Sequence, residues 1–327
     1  MNYSFFGTCA YDYVHFFECL DSMTKQTISP YQIILVYSGD IDIENQIKKK
    51  IKNSSIKFVY IPKKLSRVDS LNLALEKSLA KYSFRFDART RFSSNYAEEA
   101  FKVLENSIID ASVVGGVPNI CNENQSYEAN LCARILKSYY IFFYPNHRKK
   151  SFTGYSSSVY LGCFNTKLIK EIRYRANGNL ISEDSLIISD FIDKGYKTYI
   201  KSSIKVSYIC RSSFYRILKL FNTYGYCRAS TILVSKKLFL SFRHLFIFTV
   251  FLLSLVFLAK KSISLILFIP FILLLSNIFG ELICFKNKAS ILVSICATLC
   301  QFSWILGFFW KLMTIFSKKN IQSNFIS

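Results

Sequence analysis

Acidic residues stand at three places where the surrounding pattern gives them something to do. Asp40 and Asp42 follow the apolar run Ile33–Tyr37 and its Ser38-Gly39 turn, and Asp87 follows the short run Ser83–Phe86. Asp87 opens Asp87-Ala88-Arg89-Thr90-Arg91, a carboxylate interleaved with guanidinium groups. The carboxylate could accept a proton or a cation, and the arginines could hold an anion through forked hydrogen bonds. Read plainly, the same stretch is a solvated turn with a local ion pair. Farther on, Ser182-Glu183-Asp184 precedes a helical pattern. Ser, Glu and Asp suit a helix cap and first turn, where a carboxylate is fixed in direction and kept ionised.

The elements that must position these groups read as an alternating series. Strands are expected at Ser4–Ala10, Ile33–Tyr37, Ile56–Ile61 and Ser83–Phe86. Helices are expected between them at His15–Thr27, Ile43–Ile51 and Ser70–Ala80, the last from Leu71, Leu75 and Leu79 on one face. That order implies right-handed βαβ units and a mostly parallel sheet, which binds ligands at the carboxyl ends of its strands. Asp40, Asp42 and Asp87 all fall at such ends. Further on, Asn95–Glu105 reads as a helix, Ala111–Val117 as a strand bent at Gly115-Gly116, Val159–Phe164 as a strand, Ser185–Asp193 as a helix and Thr198–Ile200 as a strand. Asn119–Phe152 gives no clear period.

Hydrophobicity divides the 327 residues unevenly. From about Leu245 to Leu312 the chain is almost entirely apolar, whereas the preceding part has ordinary composition and enough length for an α/β core. Three spans are expected, at about 243–259, 263–283 and 290–312, ahead of a polar tail at 316–327. An amphipathic basic helix over about 212–224 is expected to lie in the membrane interface. The net charge of +21 implies anionic partners. Acidic lipid headgroups and nucleotide diphosphates qualify. Nucleic acid is not expected, because no zinc-finger spacing, basic zipper or stacking platform is present. The ten cysteines contain no C-x-x-C pair and read as buried free thiols. Met1 to Tyr13 lacks a basic n-region, so the soluble part is expected on the cytoplasmic side.

Several segments, taken in order, resemble glycosyltransferase family 2. Ser22-Met23-Thr24-Lys25-Gln26-Thr27 with Ile33-Ile34-Leu35-Val36 is similar to that family's "SL-x-x-QT…EIIVVD". Ser66-Arg67-Val68-Asp69-Ser70-Leu71-Asn72 resembles "GK-x-x-ALN", and Arg85-Phe86-Asp87-Ala88-Arg89 resembles "R-x-D-A-[DH]". Ser182-Glu183-Asp184 and Gly195-Tyr196-Lys197 match the "ED" and "GYK" pieces. Tyr208 to Ser212, Tyr224-Gly225-Tyr226 and Trp304 to Phe308 resemble motifs of the membrane-bound, succinoglycan-type exopolysaccharide subgroup.

The resemblance implies a GT-A fold followed by transmembrane helices: a soluble domain over 1–235 and a membrane region over 236–315. It implies an inverting enzyme that moves a sugar from a nucleotide-sugar to a lipid-linked saccharide, on a polyprenyl diphosphate carrier, in bacterial surface-polysaccharide assembly. The protein would be a multi-pass protein of the bacterial cell membrane. Asp184 would be the base, with Glu183 beside it. Asp40, Asp42, Arg67, Asn72, Asp87 and Arg89 would face the donor, and Arg211, Tyr224 and Arg228 the acceptor or leaving group. Asp87 would ligate Mn²⁺ or Mg²⁺. The family's second acid is replaced here by Arg89, which has no lone pair for a metal. Either Asp87 holds the cation with other groups, or Arg89, Arg91 and Arg67 neutralise the diphosphate directly. Tyr37 stands where the family often has a base-reading Asp, so it stacks on the base or belongs to the core. The alternative to an enzyme is a catalytically silent membrane scaffold. A processive synthase is disfavoured, because "Q-x-x-R-W" is missing.

Overall fold

The computed structural model describes residues 2–51, 55–138, 146–175, 182–235, 249, 252–253, 256, 263–286 and 290–323. These separate into two compact units interleaved along the chain. Unit 1 comprises 1–121, 145–178 and 183–209; unit 2 comprises 122–144, 179–182 and 210–327.

Unit 1 is built on a mixed sheet. Its first strands are β1 (Tyr3–Cys9), β2 (Gln32–Tyr37), β3 (Lys57–Pro62) and β4 (Tyr82–Asp87). They lie in the order β3-β2-β1-β4 and are all parallel. Between them run α1 (Tyr13–Thr24), α2 (Glu44–Ile51) and α3 (Arg67–Glu76), as the alternating apolar pattern requires. The short β5 (Thr90–Phe92) and α4 (Tyr96–Leu104) lead to β6 (Ala111–Cys121). Then follow β7 (Gly154–Tyr155), β8 (Tyr160–Asn165), α6 (Thr166–Ile172), α7 (Glu183–Asp193) and β9 (Lys197–Ile209).

The expectation of a mostly parallel sheet needs correcting here. β8 lies between β4 and β6 and is antiparallel to both, while β5 and β7 are antiparallel to β9. Only β6 and β9 restore a parallel pair. Gly115 and Gly116 sit where the register shifts against both neighbours, which is the bend expected of them. A Cβ on Gly116 would lie 1.9 Å from the Ile204 carbonyl oxygen, so the strands approach too closely for any side chain.

Aromatic packing fills the face of this sheet that carries Phe5 and Phe84. The Tyr3 and Phe84 ring centroids are 4.7 Å apart, and Phe92 meets Tyr96 edge to face at the same distance. Such pairs add about 0.5–1.5 kcal/mol each beyond the area they bury. The Gln26 amide donates to the Ser22 and Ser93 carbonyls and accepts from the Ala97 amide, tying the end of α1 to the β5–α4 corner. That gives the glutamine of the "QT" piece a structural job.

Unit 2 is helical, with α5 (Tyr127–Lys137), α8 (Phe214–Ser235), α9 (Ile263–Phe285) and α10 (Ile291–Ser323). The helix expected over 212–224 runs on to Ser235. It buries Ile217, Phe221 and Gly225 within the unit. Gly225 meets the Trp304 carbonyl, and Gly307 meets the Asn222 carbonyl, so α8 and α10 cross through reciprocal glycine contacts. The Tyr-Gly and Trp-x-x-Gly-Phe pieces are therefore two halves of one helix crossing.

Among the described residues, one segment, Ile291–Thr314, is long and apolar enough to cross a membrane. The stretch Pro270–Phe285 within α9 falls short, and the span expected at 243–259 lies almost wholly outside the described residues. A multi-pass arrangement is thus not supported, although a membrane anchor remains in keeping with α10.

Candidate active site

Four charged groups of unit 1 converge where α3, β4 and α7 meet. Arg67 is the first residue of α3, whose start is fixed by Ser66: its hydroxyl accepts from the Asp69 amide. Arg67 Nη2 donates to Asp87 Oδ1 at 2.8 Å, and its Nε donates to Glu183 Oε1 at 2.7 Å. Arg85, two residues before Asp87 on β4, donates from Nη2 to the same Glu183 oxygen at 2.9 Å and stands 3.6 Å from Asp87 Oδ1. Two cations face two anions, and the group as a whole is neutral.

Exposure differs sharply within this cluster. The Arg67 side chain is 44 % exposed, that of Asp87 28 %, and that of Arg85 3 %. Burial pushes the Asp87 carboxyl up, but the Arg67 and Arg85 guanidinium groups outweigh it and hold it below the usual carboxylate range. The same balance of burial against Arg67 and Arg85 keeps Glu183 low. Burial raises the Tyr174 hydroxyl to about 12, with Arg85 opposing it. Both acids are therefore ionised at neutral pH, and Tyr174 is not.

Asp184 follows Glu183 in the first turn of α7, on the exposed side. Its Oδ1 accepts from the Ser185 amide at 2.8 Å, the local bond of a first-turn carboxylate. The base and the first-turn acid of the sequence reading thus sit side by side in the chain but do different things. Glu183 is held by arginines, and Asp184 faces outward.

The structure gives other sequence candidates different partners. Asn72 was expected toward the donor. Its amide instead donates to the Tyr174 carbonyl at 2.8 Å and accepts from the Tyr174 amide at 3.0 Å, a buried two-way clamp on that peptide. Arg89 was expected beside the diphosphate, or on the surface. It is 7 % exposed, and its fork donates to Asp12 Oδ1 at 3.0 Å and to the Ile209 carbonyl at 3.4 Å. Arg91 pairs with Glu18. Of the three arginines, Arg67 is the one beside Asp87. Asp40 pairs with Lys64, and Asp42 accepts from the amide of Glu44, the first residue of α2, at 2.9 Å. Tyr37 is 3 % exposed and stacks on Tyr60 with centroids 6.1 Å apart, which makes it a core tyrosine. Arg211, Tyr224 and Arg228 belong to unit 2, the latter two on α8.

Mn²⁺ or Mg²⁺ would have to bind through Asp87. The residues present do not fit a divalent cation. The second acid position holds Arg89, turned toward Asp12, and Asp87 itself is in contact with two guanidinium groups. Among the described residues, no three His, Cys, Asp or Glu side chains are placed to share a metal ion. The Asp87 oxygens that a dication would need are already engaged by guanidinium groups, so a cation would have to draw on phosphate oxygens brought by a donor. Sequence reasoning missed Arg85. Its signal was the alternation of Ser83, Arg85 and Asp87 on one face of a strand whose other face is aromatic.

No protein-family model matches the chain. A curated relative from Methanococcus voltae, a dolichyl N-acetyl-α-D-glucosaminyl phosphate 3-β-D-2,3-diacetamido-2,3-dideoxy-β-D-glucuronosyltransferase, is 25 % identical over 237 residues, 68 % of this chain and 70 % of the relative. Among solved structures, mannosyltransferase PcManGT from Pyrobaculum calidifontis, in complex with GDP-Man and Mn²⁺, superposes with a TM-score of 0.58 at 12 % identity, over 95 % of this chain and 87 % of that one. S. aureus TarS 1-349 with UDP-GlcNAc gives a TM-score of 0.48 at 12 % identity, over 92 % and 91 % of the two chains.

Proposed function

We propose that this chain, a nucleotide-sugar glycosyltransferase with a GT-A-like mixed sheet, is an inverting enzyme that acts on a lipid-linked saccharide at a cell membrane. The observation that carries this reading is the cluster of Arg67, Arg85, Asp87 and Glu183 beside the outward-facing Asp184. The acceptor hydroxyl attacks the anomeric carbon of the donor sugar, the bond to the diphosphate breaks, and the nucleoside diphosphate leaves. Asp184 takes the hydroxyl proton. Arg67 is half-exposed and already beside Asp87, so an arriving diphosphate competes with that carboxylate for its fork and gains a charge-assisted partner. No step is routed through a metal.

The Methanococcus voltae relative, whose name gives a dolichyl-phosphate-linked sugar as acceptor, supports a lipid-linked acceptor here. For this chain we take the carrier to be a polyprenyl diphosphate and the setting to be bacterial surface-polysaccharide assembly, with unit 1 on the cytoplasmic side. Exposed apolar residues on α10, among them Ile291, Ile295, Leu306 and Trp310, suit contact with lipid tails. The test is a screen of UDP-, GDP- and dTDP-sugars against membranes containing the full chain, with extracted lipid-linked saccharides supplied. Release of a nucleoside diphosphate together with a heavier lipid-linked product is expected. If no donor turns over under these conditions, the scaffold reading takes its place.

A further inference from the structure

Ser83, Arg85 and Asp87 lie on one face of β4, because alternate residues of a strand point the same way. Phe84 and Phe86 fill the core on the other. β4 is a central strand between β1 and β8, a position that ordinarily carries apolar residues on both faces. Ser83 is satisfied by Ser78 and Thr166. Arg85 is not. Its guanidinium lies 5.7 Å from the Tyr174 ring centre, and Nη2 holds Glu183, but Nε and Nη1 are buried without a hydrogen-bond partner among the described residues. A buried cation with two unpaired edges is unfavourable for folding, and an apolar side chain of similar length would suit the strand better. Its presence therefore calls for a role other than holding the sheet together.

We infer that Arg85 is a positioning residue, which holds Glu183 from beneath, fixes the first turn of α7 and thereby sets the direction of Asp184. The inference rests on the reading of Asp184 as the base. Glu183 has two arginine partners on a single oxygen, Oε1, and they are not equivalent. Arg67 is open to solvent, touches Asp87 and is the group a diphosphate would draw away. Arg85 is sealed under the sheet end and stays. One arginine is exchangeable and the other permanent, so Glu183 keeps a partner, and α7 its start, while Arg67 changes hands. Arginine suits this task because its planar fork fixes a carboxylate in direction, which an ammonium does not.

The test compares the purified full chain with Arg85→Met, Arg85→Lys, Glu183→Gln and the Arg85→Met/Glu183→Gln double variant. Turnover is followed with the UDP-, GDP- or dTDP-sugar the enzyme uses. Binding of UDP, GDP and dTDP is followed by calorimetry, and folding by thermal unfolding. Arg85→Met is expected to lower kcat roughly 10- to 100-fold, the usual effect of removing a group that orients a functional residue. Donor KM and nucleotide affinity should stay within about threefold of the parent, as expected of a group outside the donor site. Arg85→Lys should recover part of kcat, and the double variant should lose no more than the worse single one. Unchanged kcat in Arg85→Met, a loss confined to KM and nucleotide affinity, or additive losses would overturn the inference. If Arg85→Met does not fold, Arg85→Lys decides: reduced kcat at unchanged KM supports the inference, and parental kcat overturns it. Asp184→Asn, measured alongside, separates the two readings. Activity retained there removes the base assignment itself, whereas an inactive Asp184→Asn with a fully active Arg85→Met removes the positioning role alone.

Discussion

Each unit buries an arginine–glutamate pair, and the two pairs are built differently. In unit 2, Arg134 of α5 reaches Glu281 of α9 with Nε at 3.1 Å and Nη2 at 2.9 Å, both to Oε2. Glu281 is 2 % exposed, and the Arg134 guanidinium also lies over the Phe285 ring. Where α9 meets α10, the Asn277 amide donates to Thr298 Oγ1 and Gln301 Oε1. Glu281 Oε1 has no hydrogen-bond partner among the described residues, so this set is a staple between helices rather than a fully satisfied network. In unit 1, Glu183 shares two arginines with Asp87, and one of those arginines is open to solvent. A carboxylate with one arginine loses its pairing if that arginine leaves, whereas Glu183, with a second and exposed arginine, can give one up to a ligand and stay paired.

The comparison breaks first on activity. Asp184→Asn keeps the shape of the side chain and removes the proton acceptor, so kcat should fall roughly 10²- to 10⁴-fold with nucleotide binding retained. Parental turnover in that variant would leave the unit 1 cluster without a base. Next comes stability in unit 2. Arg134→Met strands the Glu281 charge inside the helix pair and should destabilise the protein by about 3–5 kcal/mol, read as a lower unfolding midpoint in denaturant. The double replacement Arg134→Met/Glu281→Leu should regain most of that loss, since an apolar pair of similar volume is often as good. A double variant as unstable as the single one would show that this pair is more than a staple.

Three smaller effects sharpen the contrast. If Arg67 rather than a divalent cation receives the diphosphate, EDTA should leave UDP or GDP affinity within about threefold, and Arg67→Ala should weaken it by roughly 10-fold or more, the loss of a charge-assisted donor. Affinity abolished by EDTA and restored by Mn²⁺ would return the metal to Asp87. Acid should also act on unit 1. Asp87 and Glu183 have lowered folded-state values, so their pairing stabilises the protein fully above the ordinary carboxylate range. That contribution drains away as pH falls through the depressed values. Loss of Arg67 should shrink that acid-dependent stability. Smallest of all, Asp42→Ala should cost about 1 kcal/mol of stability or less, the usual net worth of one hydrogen bond, without altering nucleotide binding.

Much of this was legible because unit 1 begins with strands and helices that alternate cleanly. The pattern Ile33–Tyr37, then Lys-rich helix, then Ile56–Ile61 places two carboxyl ends side by side with little ambiguity. The strand at Val159–Phe164 was legible but its antiparallel direction was not, since a strand's direction depends on its neighbours and not on its own residues. α5 was missed although Ser126 caps it and Ala129, Cys132, Ala133 and Leu136 share a face. Small residues contrast weakly with their surroundings, and the aromatic run that follows hides the period. At the site, residue types pointed to the right neighbourhood but not to partners. Nothing local distinguishes Arg67, which faces Asp87, from Arg89, whose fork is turned to Asp12. That difference depends on which element covers the strand end.

The glycine crossing of α8 and α10 has a consequence for how this sequence can drift. A Cβ on Gly225 would sit 1.9 Å from a main-chain oxygen of α10, and one on Gly307 would sit 2.0 Å from a main-chain oxygen of α8. Each glycine is opposed by backbone, not by the other's side chain. A change at one position therefore cannot be compensated by a change at the other, as a large–small swap between packed side chains can be. The two sites are constrained independently, and in diverging copies of this chain they should stay fixed without covarying. Covariation methods, which find contacts through paired change, would then pass over one of the tightest contacts in unit 2.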